Sequence, residues 1–371
     1  MKDVYINSTG HYLPGPPIDN GQIENILGLV HGKPSKLKSR ILRANGIKTR
    51  HYALNDRHET TVLNETMAVL CARDCIEKSA VDMRKVSMLA CATSQGDMVL
   101  PGFASLVQAQ LEIPQAEIST AHGICSSSLM AMKTAYLNLR CGEHDNALVI
   151  GSELSSRLFK ASRYEAIEDA SSIDFNAEFL RWMLSDGAGA CLLENQPRKN
   201  SFRIDWITSY SHADAFPTCM SVGAPLDSHD PRTWQDYPTY AEAEKAGALL
   251  LRQDVRLLEN VLKIGVDGFL RLIEEGKTHP DKIDHLLCHY SSDHFRSKIF
   301  DMLVQAGAAI PEERWYTNLY TRGNTGCASI FIMLDEFRRT QQFKPGDQIL
   351  CMVPESGRFN VAYMKLTVMG D

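Results

Sequence analysis

The feature that most constrains the fold of this chain is a sequence pattern that occurs once in each half. Residues 81–94 and 279–292 both have a polar lead-in, an apolar run typical of a buried strand and a small hydroxyl ending. Residues 125–153 and 327–356 both have the pattern of a helix, a glycine-containing turn and a strand. A chain that repeats the same order of elements is expected to fold into two similar halves.

The spacing of the matches supports a single duplication. In the longer pair of segments Asp145 matches Asp347, an offset of 202 positions (347 − 145). Glu153 matches Glu355 at the same offset. The shorter pair is offset by 198 positions (285 − 87), so a small insertion accounts for the difference. Because there are only two copies, each the size of a domain, the repeat is not that of a solenoid.

The repeated pattern also predicts the fold class. Each half alternates strands and helices, which favours mostly parallel sheets covered by helices. We therefore predict an α/β fold of two similar halves, 1–195 and 196–371, with mixed sheets and helices in layers. The length agrees, since one hydrophobic core rarely grows to 371 residues. The apolar pattern predicts helices around 60–79 and 239–276, and the segment 195–238 is interpreted as strand plus loop.

Composition and charge exclude several classes of protein. The formal net charge of −6 disfavours a protein that coats nucleic acid, because phosphate binding requires a basic footprint. No run of about 18 uncharged apolar residues occurs, so we expect no membrane span and a cytoplasmic protein. The ten cysteines have no CxxC pair and no regular spacing, which indicates reduced thiols. His289 and His294 are spaced badly for a shared helical face, and we expect neither a metal nor a cofactor.

Cys125 is the first candidate for chemistry. It lies in AHGICSSSLMAMKTA, where small residues precede an amphipathic helical run. The thiol is therefore expected at the first turn of a helix, where free N–H groups lower a thiol pKa and favour the nucleophilic thiolate. Taken alone, this stretch is better explained by a buried structural cysteine at a tight strand-to-helix turn.

Two further residues are expected close to this thiol. His289 ends the strand pattern HLLCHYSS, and Asn324 lies in RGNTGCASI at the start of the second copy's helix. Because the duplication brings corresponding strand ends together, all three are expected to converge at one cleft. A histidine acts as base or donor, and an asparagine amide donates two hydrogen bonds without titrating. Taken singly, His289 also fits a core histidine, and Asn324 also fits a helix N-cap.

Over nearly its whole length the chain resembles the β-ketoacyl-acyl-carrier-protein synthase III family of the thiolase superfamily. The segments that carry the resemblance occur in the family's order and approximate spacing: INSTGHYLPG, RANGIKTRHYA, TSQGDMVLPGFASLVQAQL, the Cys125 segment, VIGSELSSR, MLSDGAGACLL, LCHYSSDH and RGNTGCASI. The resemblance implies a thiolase-like duplicated fold and a ketosynthase that joins acyl thioesters by decarboxylative or non-decarboxylative Claisen condensation.

The resemblance also implies a role for each candidate residue. Cys125 would carry the acyl group as a thioester. His289 and Asn324 would hydrogen-bond the thioester carbonyl of the extending unit and stabilise its enolate, which is where preorganised donors help most. The backbone N–H groups of Cys125 and Gly357 would hold the oxyanion of acyl transfer.

The chain departs from the family pattern near its C-terminus. The segment PESGRFNVAYM keeps Gly357 but places Glu355 and Arg358 beside it. These charged residues resemble those of family members that make dialkylresorcinol precursors by condensing and then cyclising β-ketoacyl units to a 1,3-cyclohexanedione. We therefore expect Glu355 and Arg358 to border the active site as an acid–base pair. A surface ion pair of little energetic value is the alternative.

A second departure concerns the carrier of the acyl group. A tryptophan that stacks on the base of coenzyme A is expected near position 32, but KPSKLKSR occupies that region. An acyl carrier protein is therefore a partner to consider beside coenzyme A thioesters, since an acidic partner would be attracted to local basic residues. The candidates are Lys36, Lys38, Arg40, Arg43, Arg157, Lys160 and Arg163.

The resemblance also predicts a homodimer. The segment VLPGFASLVQAQL is similar to the family segment that reaches across a two-fold interface. Leu100 is thus expected to line the acyl pocket of the partner subunit. Closed two-fold dimers are also the commonest assembly.

Other classes fit the sequence less well. A papain-like hydrolase shares the order Cys, His, Asn, but its local cysteine context is absent and a duplicated α/β pattern has no place in that fold. A non-catalytic scaffold would require that Cys125 is never acylated. Within the enzyme class, acyl transfer to an oxygen or nitrogen acceptor uses the same fold and nucleophile, and the presence of both His289 and Asn324 favours carbon–carbon bond formation.

Overall fold

The computed structural model describes residues 1–168, 173–224 and 231–370. Within these ranges the α-helices are α1 Ile23–Leu27, α2 Lys38–Asn45, α3 Asn64–Glu77, α4 Phe103–Leu111, α5 Ser127–Cys141, α6 Ala161–Glu165, α7 Phe175–Glu178, α8 Tyr240–Lys245, α9 Leu258–Glu274, α10 Asp293–Gln305, α11 Leu319–Arg322 and α12 Ser329–Thr340. The strands are β1 Tyr5–Tyr12, β2 Ile18–Asp19, β3 Thr49–Arg50, β4 Met88–Thr93, β5 Glu117–His122, β6 Asn146–Glu153, β7 Gly187–Glu194, β8 Phe202–Ser211, β9 Met220–Ser221, β10 Arg252–Gln253, β11 His285–Cys288, β12 Trp315–Tyr316, β13 Gln348–Glu355 and β14 Asn360–Val368.

The order of the strands repeats in the two halves. The large sheet runs β12-β11-β13-β14-β8-β1-β7-β6-β4-β5. From each outer edge inwards there are three parallel strands and then two antiparallel ones, and the halves meet where β1 pairs with β8. The strand β4 thus corresponds to β11, and β6 corresponds to β13, which is the correspondence that the sequence repeat predicts. The division into domains at 195/196 stays a prediction.

Helices pack on both faces of the sheet. One apolar cluster surrounds α5 and α12 and contacts strands of both halves. The opposite face is covered in the first half by α3 and α4, and in the second half by α9 and α10. The fold is therefore layered, as predicted, and α5 and α12 lie at its centre.

The apolar composition of the central strands follows from the packing of helices on both faces of the sheet. Nearly every residue of β4, β6, β7 and β13 is buried, because helices cover both faces, so these strands are continuous runs of apolar and small residues. In β7, Gly189 lets α12 come close. A Cβ at this position would lie 2.7 Å from the Cβ of Phe331 and 2.8 Å from the backbone N of Ile332.

The helices of the structure agree in part with those predicted from the sequence. The helix expected around 60–79 is α3. The helical stretch expected at 239–276 is instead two helices, α8 and α9, separated by the short strand β10 and a 3₁₀ turn. The segment 195–238, interpreted as strand plus loop, contains β8 and β9, and residues 225–230 of it lie outside the described ranges. None of the helices in the described parts of the chain has the length and apolarity needed to cross a membrane.

Candidate active site

The three candidate residues line one cavity at the carboxyl ends of the parallel strands. Cys125 lies between β5 and α5, His289 directly follows β11, and Asn324 lies between α11 and α12. All three border a cavity of about 430 Å³. Parallel strands point their carboxyl ends at a common edge, which is where α/β proteins bind ligands. The duplication thus brings together residues that are far apart in the sequence.

The sequence argument for a lowered Cys125 pKa is wrong for this site. The thiol is buried just before the N-terminus of α5, and burial raises the pKa of the Cys125 thiol well above its usual range. The carboxyl groups of Glu355 and Glu153 raise it further. The helix terminus therefore does not dominate, and the unacylated enzyme holds Cys125 as a neutral thiol near neutral pH.

After burial, the largest contribution to the raised Cys125 pKa comes from Glu355 at the start of the helix. The Glu355 carboxylate accepts hydrogen bonds from the backbone N–H of Ser126 at 3.0 Å and from the Ser126 hydroxyl at 2.6 Å. Asn360 Nδ2 donates to the same hydroxyl at 2.9 Å. A carboxylate at this position offsets the positive potential that a free helix N-terminus would give the thiol. It also holds the loop that carries Cys125.

His289 is a neutral, unpaired donor or acceptor. Burial lowers the pKa of His289 to about 4, so the imidazole is uncharged near neutral pH. Its backbone N–H donates to the carbonyl of Met352 at 2.9 Å, which continues the pairing of β11 with β13. The ring atom Nε2 is buried and has no hydrogen-bond partner among the described residues. Because an unpaired buried polar atom is costly, this atom marks a site that a ligand can satisfy.

Asn324 is held by the turn that leads into α12. Its side-chain oxygen accepts a hydrogen bond from the N–H of Gly326 at 3.0 Å, and its backbone pairs with Met183 and Ser185. Gly326 has a φ of +54°, which a glycine adopts without strain. With the oxygen occupied, the amide NH₂ group is left to donate. Asn324 is therefore not the N-cap of the helix that follows, since Thr325 and Ala328 hold the N-cap positions of the two helical segments after it.

The predicted pairing of Glu355 with Arg358 is wrong. Glu355 is buried against Ser126, whereas Arg358 is exposed and its Nε donates to the backbone carbonyl of Ala213 at 3.2 Å. Neither residue borders the cavity, although Pro354 and Ser356 do. The antiparallel turn between β13 and β14 explains the separation, since it directs residues three positions apart to different sides.

Gly357 lies in the same turn and supports the nucleophile loop. Its carbonyl accepts hydrogen bonds from the N–H groups of Cys219 and Met220 at 2.9 and 3.2 Å. A Cβ at this position would lie 2.7 Å from Cδ1 of Ile124, the neighbour of Cys125. A glycine is therefore needed for the close approach of this turn to the loop, and the role of its N–H in an oxyanion hole stays a prediction.

Glu153 is a residue of the cavity for which the sequence indicated no role. Its carboxyl group accepts hydrogen bonds from the N–H and hydroxyl of Ser94 at 3.1 and 2.5 Å, and from the N–H of Cys327 at 3.3 Å. Burial raises the pKa of Glu153 to about 7. The signal was present in the sequence, because an acidic residue at the end of an otherwise apolar strand is rarely there for solubility.

One wall of the cavity is apolar and comes from three helical segments. They are the 3₁₀ helix Phe179–Trp182, α9 and α10. The apolar side chains that face the cavity include Phe179, Leu180, Leu258, Leu262, Phe295 and Ile299. A polar end with Cys125, His289 and Asn324 thus joins a wall suited to an aliphatic chain.

The predicted surface residues are partly occupied by other contacts. Leu100 is 79% exposed and does not border the cavity of its own chain.

Three of the seven basic candidates form ion pairs: Lys38 with Glu24 at 2.9 Å, Arg157 with Asp97 at 2.7 Å, and Arg163 with Glu244 at 2.6 Å. These three charges are therefore less available to an acidic carrier protein.

One group of possible metal ligands occurs elsewhere in the described residues. It comprises His11, Asp74 and Asp335. Asp335 already receives hydrogen bonds or ion pairs from His11, Thr9, Lys78 and Arg339. Burial raises the pKa of Asp335, but the contacts with His11, Lys78 and Thr9 outweigh it and hold that pKa well below the usual range. Two cationic side chains among these partners fit an ion network rather than a cation site.

The comparisons with known proteins agree with this architecture. Two family models match, 3-oxoacyl-[acyl-carrier-protein] synthase III over residues 121–214 and its C-terminal counterpart over residues 273–357. The first range contains Cys125, and the second contains His289 and Asn324. The matched ranges thus include all three candidate residues.

Solved structures show the same fold at low sequence identity. The tetronic acid condensing enzyme AbyA1 has a TM-score of 0.78 at 19% identity, over 98% of this chain and 99% of that one. The 3-oxoacyl-[acyl-carrier-protein] synthase III of Aquifex aeolicus has a TM-score of 0.72 at 22% identity, again over 98% and 99%. A variant of Xanthomonas campestris OleA with bound lauric acid and lauroyl-CoA has a TM-score of 0.76 at 18% identity over 98% and 99%.

The fold and the family matches together define a thiolase-fold condensing enzyme. The chain is a ketosynthase similar to the 3-oxoacyl-[acyl-carrier-protein] synthase III family over the two matched ranges. The predicted α/β thiolase-like fold and the predicted ketosynthase class are thereby confirmed.

Proposed function

We propose that this ketosynthase is an acyltransferase that works through an acyl thioester on Cys125 and uses His289 and Asn324 to stabilise an enolate. The observation that carries the proposal is the convergence of these three side chains on one buried cavity. A nucleophile and two uncharged donors are what a Claisen condensation requires, because its two half-reactions place negative charge on different oxygens.

The reaction proceeds in two balanced steps. In loading, the sulfur of Cys125 attacks the acyl carbonyl, the bond to the carrier sulfur breaks, and the carrier leaves as a thiol with the proton of Cys125. In condensation, the extending thioester loses carbon dioxide, or loses an α-proton to water, and the resulting carbanion attacks the acyl-Cys125 carbonyl. The Cys125 thiolate leaves and takes up a proton from water. His289 and Asn324 act on the extending thioester while its carbonyl oxygen carries charge.

The substrate is proposed to be an aliphatic acyl thioester carried by an acyl carrier protein or by coenzyme A. The apolar wall of Phe179, Leu258, Leu262 and Phe295 supports it, since each buried methylene contributes about 0.8 kcal/mol. The OleA structure has lauric acid and lauroyl-CoA bound, which supports this class of ligand for the same fold. Cyclisation to a 1,3-cyclohexanedione remains a further proposal, now without an acid–base pair of Glu355 and Arg358 to support it.

The test is a product assay with acetyl-, octanoyl- and dodecanoyl-coenzyme A, each with a malonyl thioester. We expect the octanoyl group to load at least about tenfold better than acetyl, because it fills more of the apolar wall. Mass spectrometry should then show a β-ketoacyl product that is longer by two carbons. Omitting the malonyl thioester is the control.

Three other products would change the assignment. A cyclic 1,3-dione from β-ketoacyl substrates would support the dialkylresorcinol-precursor proposal. An ester or amide with an added alcohol or amine, and no carbon–carbon product, would instead indicate acyl transfer to oxygen or nitrogen. Hydrolysis of peptides would indicate the papain-like class.

We also propose a two-fold homodimer through the edge strand β5. This strand ends the large sheet, so one of its sides has unpaired backbone groups, which natural proteins usually cover. Three consecutive apolar residues between β4 and α4 are exposed: Met98 at 54%, and Val99 and Leu100 at 79% each. A second copy placed against this edge would bury them and bring Leu100 towards the partner's cavity.

The dimer is tested by replacing Val99 and Leu100 together with aspartate. Light scattering should give a two-chain mass for the wild type and a one-chain mass for the variant, because two charges would be buried at the interface. Val304→Asp is the matched control, since Val304 is a half-exposed valine on α10, away from this edge. A wild type that is monomeric and fully active would contradict the proposal.

A further inference from the structure

Each of the two carboxyl groups at the ends of β6 and β13 accepts a hydrogen bond from the opposite half of the chain, which is a crosswise arrangement. Glu355, at the end of β13 in the second half, accepts from the N–H of Ser126 at the start of α5 in the first half. Glu153, at the end of β6 in the first half, accepts from the N–H of Cys327 in the turn before α12 in the second half. Each half thus holds the central helix of the other.

The two carboxyl groups differ in what they face. Glu355 holds the loop of the nucleophile and does not border the cavity, whereas Glu153 does. Glu153 binds the turn of Asn324, because the N–H of Gly326 donates to Asn324 and the N–H of Cys327 donates to Glu153. A Cβ at Gly326 would lie 2.9 Å from Cγ of Glu153, so side chain and turn are closely packed.

The ionisable groups around Glu153 are few. The cavity wall carries His122, Cys125, His289 and Tyr290 besides Glu153, and the buried thiol of Cys327 lies on the side of α12. Within the described parts of the chain, no lysine or arginine forms an ion pair with Glu153. Burial lowers the pKa of His289 to about 4 and raises the pKa of Cys125, Cys327 and Tyr290, so these groups do not change charge near neutral pH.

We propose that Glu153 is a positioning residue for the Asn324 turn whose charge state controls condensation, the reaction being fast when the carboxyl group is neutral and slow when it is ionised. This inference rests on the proposed function. A neutral carboxyl group adds no charge to the cavity, and its carbonyl oxygen can still accept a hydrogen bond from the turn.

An ionised carboxyl group opposes the reaction in two ways. Condensation builds negative charge on the extending thioester, beside His289 and Asn324, and a carboxylate in the same low-dielectric cavity repels it. A malonyl extending unit would also bring its own carboxylate into the cavity. Because burial raises the pKa of Glu153 to about 7, this change of charge falls within the physiological range.

The experiment starts from enzyme whose Cys125 already carries an octanoyl group, so that titration of the thiol plays no part. The rate constant of condensation with a malonyl thioester is measured in a single turnover from about pH 6 to about pH 8.5. For the wild type we expect a decline of about tenfold per pH unit above the transition. Glu153→Gln should be within a few-fold of the wild type at the acidic end and should lose this decline.

Two further variants sharpen the result. Ser94→Ala removes a hydrogen bond that lowers the pKa of Glu153, so the decline should begin at higher pH. His122→Gln should leave the decline in place, which separates Glu153 from the exposed histidine at the cavity wall. If Glu153→Gln condenses with the wild-type pH profile, or is slower by one constant factor at every pH, the inference is overturned while the proposed function stands. If the wild type forms no carbon–carbon product at all, the proposed function itself fails.

Discussion

Replacing Cys125 with alanine is expected to abolish the acyl-enzyme and to lower turnover by at least about a thousand-fold, as happens when a covalent nucleophile is removed. All ten cysteines lie in the described residues, and of these only Cys125 borders the cavity. Because the other cysteines do not line the cavity, no second cysteine is expected to take over. Intact-protein mass spectrometry after incubation with octanoyl-coenzyme A measures the adduct.

Cys141→Ser is the matched control for this result. Cys141 is the exposed thiol of the chain and ends α5, the helix that begins next to Cys125. This variant should load and turn over like the wild type. A covalent acyl adduct that persists on Cys125→Ala would remove Cys125 from the mechanism, and peptide mapping to Cys91, Cys288 or Cys327 would identify the replacement.

The reactivity of Cys125 also depends on pH in a direction that the structure fixes. Since burial and two carboxyl groups raise the thiol pKa, reaction with iodoacetamide should increase as pH rises above neutrality. Acyl loading needs the same thiolate, whereas the condensation step is expected to slow as Glu153 ionises. The two half-reactions thus have opposite pH dependences, and steady-state turnover should pass through a maximum.

The sequence predicted the broad architecture well because the duplication constrains both halves at once. The matches of Asp145 with Asp347 and of Glu153 with Glu355 showed directly that β6 corresponds to β13. The same correspondence of the two halves predicted that Cys125, His289 and Asn324 lie close together, and they line one cavity. The patterns that mark the ends of buried strands involve only neighbouring residues, so they can be found in one sequence without comparison to others.

The electrostatics could not be predicted in the same way. The thiol pKa of Cys125 depends on which carboxyl group reaches the start of α5, and Glu355 is 229 positions away in the sequence. The prediction that Glu355 and Arg358 act as a pair was wrong for a related reason. The spacing of two residues along a turn does not determine which of their side chains is buried. The role of Glu153 needed the crosswise contact with Cys327, which appears only when both halves are packed.

His289→Ala and Asn324→Ala are expected to retain loading of Cys125 and to lose condensation by about a hundred- to a thousand-fold each, the effect of removing one preorganised donor to a developing oxyanion. The structure gives the physical reason for this selectivity. His289 has an unpaired Nε2 and is uncharged, and Asn324 has its oxygen occupied by Gly326, so each can offer a donor without first changing its protonation state. Loading places charge on a different carbonyl oxygen, that of the incoming acyl group.

The measurement compares the two half-reactions on the same preparation. Adduct formation on Cys125 is followed by intact mass, and the octanoyl enzyme is then mixed with a malonyl thioester in a single turnover. Asn324→Asp adds a decisive comparison, because a carboxylate of almost the same shape accepts hydrogen bonds but places negative charge beside the enolate, and it should condense more slowly than Asn324→Ala. If His289→Ala and Asn324→Ala lose loading in proportion to turnover, the enolate role is wrong. His289 would then be better explained as the general base of an acyltransferase that delivers its acyl group to oxygen or nitrogen, since such an enzyme needs its histidine in both half-reactions.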